Sequence, residues 1–113
     1  MGTCGCCTVI ADGRPVLSCL TLALEYQGSH IETVEILILY QMHPLQKAFI
    51  DEQDAQCGFC LSGVVLTAKA LLDRNPRAND AQIQQAMSGV ICRCFTHVRM
   101  LRAINQARRE MTR

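Results

Sequence analysis

The spacing of apolar residues changes character part-way along the chain. In the first third they come in short runs cut by turn residues. Cys7-Thr8-Val9-Ile10-Ala11 is β-prone, Asp12-Gly13 is a hairpin turn, and Pro15-Val16-Leu17-Ser18 forms the returning strand. Leu20 to Gln27 reads as a short helix closed by Gly28. Ile31-Glu32-Thr33-Val34-Glu35 alternates apolar and polar residues, the pattern of a half-buried strand. The expectation is a small sheet with one helix, too small to build a core alone.

From Pro44 onward the period becomes helical. A first helix runs from Pro44 through Leu45, Ala48 and Phe49 toward Gln53, with proline in the first turn, where its missing N–H costs nothing. A second follows Cys57-Gly58-Phe59-Cys60, carries Val64, Ala68, Leu71 and Leu72, and stops near Asn75-Pro76. Asn79 with Gln82 forms a capping box for a third, which carries Ile83, Ala86 and Met87 and is closed by Gly89. The fourth starts near Thr96 and aligns Val98, Leu101, Ile104 and Met111. The fold class expected is α+β, with a boundary between residues 42 and 43.

Composition agrees with packed helices: 50% of the 113 residues are apolar but only 4% are aromatic. A formal charge of +1 gives no electrostatic case for nucleic acid or a membrane surface. Arg99, Arg102, Arg108, Arg109 and Arg113 gather at the C-terminal end, where cations complement a helix dipole. The longest apolar run, Ile36 to Tyr40, is far shorter than the roughly 20 residues of a membrane span. A cytoplasmic location is expected, or a periplasmic one reached through a partner or a missing N-terminal signal.

The remaining fact is eight cysteines, in two groups: Cys4, Cys6, Cys7 and Cys19, then Cys57, Cys60, Cys92 and Cys94. A disulfide scaffold fits poorly, because no secretory segment is visible and the apolar content suffices for a core. Zinc is open, since Cys-x2-Cys is a common zinc knuckle, but the one-residue spacing of Cys92-Arg93-Cys94 is unusual for it. An iron–sulfur cluster also takes four thiolates. Both pairs of the second group fall just before expected helices, whose unpaired N–H groups would stabilise an anionic cluster. Gly58 would let the backbone approach sulfur closely, and burial in the helices would keep water away. His97 reads as a helix-start residue in preference to a zinc ligand.

Three segments carry a resemblance: Gln56-Cys57-Gly58-Phe59-Cys60-Leu61-Ser62-Gly63, Ala86-Met87-Ser88-Gly89-Val90-Ile91-Cys92-Arg93-Cys94 and His43-Pro44-Leu45-Gln46-Lys47-Ala48-Phe49. They resemble the small iron–sulfur subunit of molybdenum hydroxylases, the xanthine dehydrogenase, aldehyde oxidoreductase and carbon monoxide dehydrogenase family. Cys7 to Gly13 and Ser18-Cys19-Leu20 match its first domain, so the resemblance covers essentially the whole chain. It implies a plant-ferredoxin-like β-grasp domain, here shortened and spanning 1–42, and a four-helix domain spanning 43–113. Each would hold a [2Fe–2S] cluster. Electrons would pass from a molybdopterin held by a large partner subunit, through the clusters, to a flavin subunit or a cytochrome c. No substrate turnover is expected from this chain alone.

By that resemblance Cys57, Cys60, Cys92 and Cys94 ligate the helical-domain cluster, and Cys94, Arg93 and Gln56 lie nearest the pterin. Cys4, Cys7 and Cys19 match three ligands of the plant-type cluster; the fourth falls before Met1, and Cys6 is an unfavoured substitute. A fragment, a misassigned start or a degraded copy would each leave that pattern. Leu61-Ser62-Gly63 and Phe95-Thr96-His97-Val98-Arg99 depart from the common family sequence toward the subgroup of nicotinate-, isoquinoline- and some aldehyde-oxidising enzymes. The rival readings are a zinc-stabilised scaffold and a truncated relic holding only the helical-domain cluster.

Overall fold

The computed structural model describes residues 1–39 and 41–113; Tyr40, which ends the longest apolar run, lies outside the described residues. Strand β1 (Thr8–Ala11) pairs antiparallel with β2 (Arg14–Leu17) on one side and with β3 (Ile31–Glu32) on the other. The hairpin turn has Asp12 at φ 47° and Gly13 at φ 78°, the two left-handed residues that match a tight turn to strand twist. The Asp12 carboxylate accepts from the His30 N–H at 2.9 Å, and the Asp12 N–H donates to the His30 carbonyl, also at 2.9 Å. The turn therefore anchors the third strand.

Two expectations about this region are corrected. Leu20 to Gln27 is not one helix: 3₁₀ turns at Ser18–Leu20 and Ala23–Tyr26 flank extended Thr21 and Leu22. Leu20, Leu22 and Leu24 are all exposed, so no buried face rewards a continuous helix. The third strand is also shorter than its alternation suggests, because Val34–Ile38 turns into a 3₁₀ segment that sends Leu37 into the core.

Four helices follow: α1 (Pro44–Asp51), α2 (Leu61–Arg74), α3 (Asp80–Met87) and α4 (His97–Met111). At the start of α1, His43 Nδ1 accepts from the Leu45 N–H and the Gln46 side-chain oxygen accepts from the His43 N–H, each at 3.2 Å. The Asn79–Gln82 capping box of α3 forms as its sequence implies, with both bonds at 2.9 Å. Gly89 does not close α3 in a left-handed conformation; the helix ends at Ser88 with ordinary right-handed backbone.

The core runs unbroken from Ile10 and Leu37 through Leu45, Ala48 and Phe49 of α1, the inner face of α2, Ile83 of α3 and Met100 and Ile104 of α4. Helix α4 is rotated from its expected face. Met100, Ala103, Ile104 and Ala107 are buried, while Val98 is exposed. The two alanines supply the small inward surface that close helix packing needs. Lys69 of α2 bonds Glu32 at 3.1 Å and Asp73 at 2.6 Å, tying β3 to the helix.

The tightest joint between sheet and helices involves no large side chain. Gly63, in the first turn of α2, lies so close to the Gly5–Cys6 backbone that a Cβ there would stand 2.3 Å from the Gly5 oxygen. Gly5 in turn lies against Gly89, whose carbonyl oxygen would meet a Gly5 Cβ at 2.7 Å. Together with the Ile91 N–H donating to the Cys4 carbonyl at 2.9 Å, these contacts press the two cysteine-bearing regions together.

Candidate metal centre

Helix α1 ends in a Schellman arrangement, with the Gln53 N–H on the Ile50 carbonyl and the Asp54 N–H on the Phe49 carbonyl. Gln53 takes the left-handed conformation at φ 50° that glycine usually supplies, and the reversal carries Asp54 inward, to 2% exposure. Cys57-Gly58-Phe59-Cys60 then forms a turn, and Cys60 is the N-cap of α2. Gly58 has φ 76°, yet open space surrounds its missing Cβ. Its left-handed backbone is what a glycine serves here.

The second strand of the site is the loop from Gly89 to Thr96. Cys92 is buried, and Cys94 is half-buried. Between Cys94 and α4, Phe95 has φ 58°, a left-handed conformation rare for an aromatic residue, and its side chain is exposed. Thr96 is buried at the N-cap of α4 but makes no capping bond; its Oγ1 lies 3.3 Å from Cys92 Sγ.

Four thiols line one cavity, together with Asp54, Gln56 and Thr96. They stand as two pairs. Cys94 Sγ and Cys57 Sγ are 3.5 Å apart on the open side. Cys60 and Cys92 lie on the inner side, half-buried and buried, and each shifts the other's titration. Cys57 is exposed, so the helices of this chain cover only one side of the site.

The electrostatics differ between the pairs. Burial acts to raise Cys92, but the Thr96 hydroxyl and N–H, with Cys60 and the Cys94 N–H, outweigh it and bring the thiol down to about 7. Cys60 is pushed up to about 12, first by burial and then by its bond to Cys92 and the charge there. The Phe59 N–H and the Cys94 thiol lower Cys57. These surroundings favour the thiolate at Cys92, the state a metal requires.

The first cysteine group lies across the Gly5–Gly63 joint. The Cys6 N–H and thiol are directed at Cys4 and lower it; the Cys19 N–H and thiol do the same for Cys7. The Gly2 N–H lies 3.2 Å from Cys19 Sγ. Cys6 is pushed up to about 11, first by burial and then by its bond to Cys4, and charge at Cys92 contributes. Cys6 thus stands between the groups, in electrostatic reach of both.

The donor chemistry of the second group fits an iron–sulfur cluster. Two thiol pairs facing one cavity match a two-iron cluster, in which each iron takes two protein ligands, and backbone N–H groups already point at the sulfurs. Among the described residues, no group of three or more His, Cys, Asp or Glu side chains closes on a single ion. Arg93 and Gln56 are exposed beside the site. His97 begins α4, as a helix-start residue should. Sequence reasoning did not single out Asp54 or the Thr96 hydroxyl. Thr96 reads as an ordinary N-cap, and nothing in the chain's periodicity marks Asp54 as buried.

Residues 33–105 match the family described as "[2Fe-2S] binding domain". The chain is 50% identical over 108 residues to a nicotinate dehydrogenase subunit of Pseudomonas putida, covering 95% of this chain and 69% of that one. It is 44% identical over 110 residues to the alpha subunit of isoquinoline 1-oxidoreductase of Brevundimonas diminuta, covering 97% and 72%. Among solved structures, quinoline 2-oxidoreductase of Pseudomonas putida 86 superposes with a TM-score of 0.89 at 40% identity, covering 97% of this chain and 69% of that one. Aldehyde oxidoreductase of Desulfovibrio gigas superposes with a TM-score of 0.93 at 34% identity, covering 99% of this chain and 13% of that much longer one.

Proposed function

The chain belongs to the [2Fe-2S] binding domain family and to the small iron–sulfur subunits of the molybdenum hydroxylases, and on that premise we propose that it relays electrons between a partner's molybdopterin site and an onward acceptor. The observation that carries this reading is the two-pair thiol arrangement, open to solvent at Cys57 and closed at Cys92. A [2Fe–2S] cluster, when bound, supplies one-electron transfer.

Cys57, Cys60, Cys92 and Cys94 hold the cluster, and the N–H groups of Phe59, Cys94 and Thr96 direct positive dipoles at its sulfurs. Cys57 and Cys94 face outward, so the large molybdopterin-binding subunit docks on that side, near Arg93 and Gln56. Cys4, Cys7 and Cys19 serve a second cluster, and the Gly5–Gly63 joint keeps the two sites close. Onward transfer goes to a flavin subunit or a cytochrome c. The relatives' names support a multi-subunit setting, since both curated proteins above are subunits of larger oxidoreductases. The Desulfovibrio protein carries the equivalent unit inside one long chain.

Anaerobic reconstitution with iron and sulfide, followed by metal and acid-labile sulfide counts and EPR, tests this. About two irons per chain with an axial or rhombic reduced signal supports the helical-side cluster, and about four supports both clusters. Stoichiometric zinc without labile sulfide sinks the reading. Co-purification with a molybdenum-containing subunit tests the partner directly.

A further inference from the structure

Asp54 is unusual for its place. The side chain is 2% exposed, and its Oδ1 is one of two buried side-chain oxygens or nitrogens among the described residues with no hydrogen-bond partner. A buried unpaired carboxylate oxygen costs free energy and calls for an explanation. The carboxyl lines the same cavity as the four thiols. It is also held there by construction, since the left-handed Gln53 and the bond from the Asp54 N–H to the Phe49 carbonyl turn it inward.

Thr96 gives a second, independent observation. Threonine at an N-cap ordinarily accepts from a helix N–H, and this one does not. Its hydroxyl lies 3.3 Å from Cys92 Sγ instead. The Asp54 carboxyl lines the same cavity as that hydroxyl, which acts to lower its titration. A hydroxyl carries one proton, so the sulfur and an ionised carboxylate compete for it.

We propose that Thr96 and Asp54 are positioning residues for the cluster, with the protonation of Asp54 deciding whether the Thr96 hydroxyl donates to the Cys92 sulfur or to the carboxylate. This rests on the electron-transfer reading above. When Asp54 is protonated, its O–H donates to Thr96 Oγ1 and the Thr96 O–H donates to sulfur. When Asp54 is ionised, the carboxylate takes the Thr96 hydrogen bond and adds a negative charge beside the site. A hydrogen bond to a ligand sulfur favours the more negative, reduced cluster, so protonated Asp54 raises the potential. An arriving electron is then accompanied by up to one proton, taken from solvent onto Asp54.

The groups around the carboxyl set where this happens. Burial favours the neutral acid, Arg99 and His97 of α4 favour the ionised form, and Glu52 at the end of α1 opposes it. Burial has the largest influence and holds Asp54 above the ordinary aspartate range.

The test is an EPR-monitored reductive titration with dithionite, from about pH 4 to about pH 9, on the full chain loaded with iron and sulfide. The signal followed is the one that Cys92→Ser abolishes. In the wild type its potential falls as pH rises. Asp54→Asn flattens that dependence. Thr96→Val lowers the potential at the acid end and weakens the slope, and Thr96→Ser restores both. A wild-type potential independent of pH overturns the proposal. So does Asp54→Asn with an unchanged slope, or Thr96→Ser behaving like Thr96→Val. Should Asp54→Asn fail to load, the Val and Ser variants decide alone. A chain that binds no iron or labile sulfide sinks the electron-transfer reading, whereas a loaded chain with a flat potential sinks only this inference.

Discussion

The two cysteine groups are made of the same residue and differ in what surrounds them. Cys57, Cys60, Cys92 and Cys94 sit on turns that run straight into α2 and α4, and buried side chains stand behind them. Cys4, Cys6, Cys7 and Cys19 sit on loops beside a three-stranded sheet, with none of the four fully buried. One group is defined by helix ends and a packed core. The other is defined by local turns and by its contact with the first group. A thiol set therefore inherits its rigidity from the elements behind it, and the helical set has far more of them.

Removing ligands should break the comparison most sharply. Cys92→Ser takes away the buried thiolate and the partner of Cys60, and should eliminate about two irons and two labile sulfides per reconstituted chain. Cys19→Ser should leave those two irons in place. Equal losses from both variants, measured by metal and sulfide counts, would mean that the two groups are a single unit.

The joint between the groups comes next. Gly63→Ala would place a Cβ 2.3 Å from the Gly5 oxygen and 2.9 Å from Cys6 Cα, both backbone atoms that cannot swing aside. Overpacking of this kind costs about 1–3 kcal/mol, readable as a lower urea midpoint for the full chain. Ser62 at the same turn is half-buried and donates to the Cys6 carbonyl at 3.4 Å, so its replacement by Ala should cost less.

How much of this was legible in the sequence follows the same division. The hairpin was readable because Asp12-Gly13 dictates its own backbone, and α3 because Asn79 and Gln82 cap locally. The cysteine quartet was readable from spacing and the segments around it. Leu20–Gln27 misled because its leucines have helical spacing but nothing to bury them. Val98 misled for a related reason: α4 turns its alanines inward, and a periodicity count ranks alanine below valine. Asp54 and Thr96 meet at one cavity from distant parts of the chain, so no local pattern contains the pair.

Backbone conformation in the two ligand-bearing turns offers a finer pair of tests with opposite signs. Gly58→Ala has room for its methyl but must hold φ near 76°, which costs about 1 kcal/mol. Phe95→Gly relieves the left-handed strain at φ 58° and should raise stability by about 0.5–1 kcal/mol. Urea unfolding of the full chain reads both. A Phe95→Gly variant that gains stability yet loses affinity for the molybdenum subunit would assign the exposed ring to docking.

The smallest effect concerns Asp54 and depends on pH. Burial holds its carboxyl above the ordinary value, with Thr96, Arg99 and His97 only partly offsetting that, so the folded chain prefers the protonated acid more than the unfolded chain does. For a group whose folded value is raised, the stabilising contribution is complete below the unfolded value and disappears as pH climbs through the folded one. Wild-type stability should therefore decline relative to Asp54→Asn as pH rises from the unfolded aspartate value, about 3.9, through the raised folded value. The difference should level off once Asp54 is ionised in both states. Asparagine keeps the shape of the neutral acid and cannot ionise, so the variant lacks this contribution to the pH profile. Paired urea midpoints from about pH 4 to about pH 8 measure the divergence. Parallel profiles would mean that the carboxylate is solvated in the folded chain, and would break the contrast between a helical site backed by buried groups and a hairpin site without them.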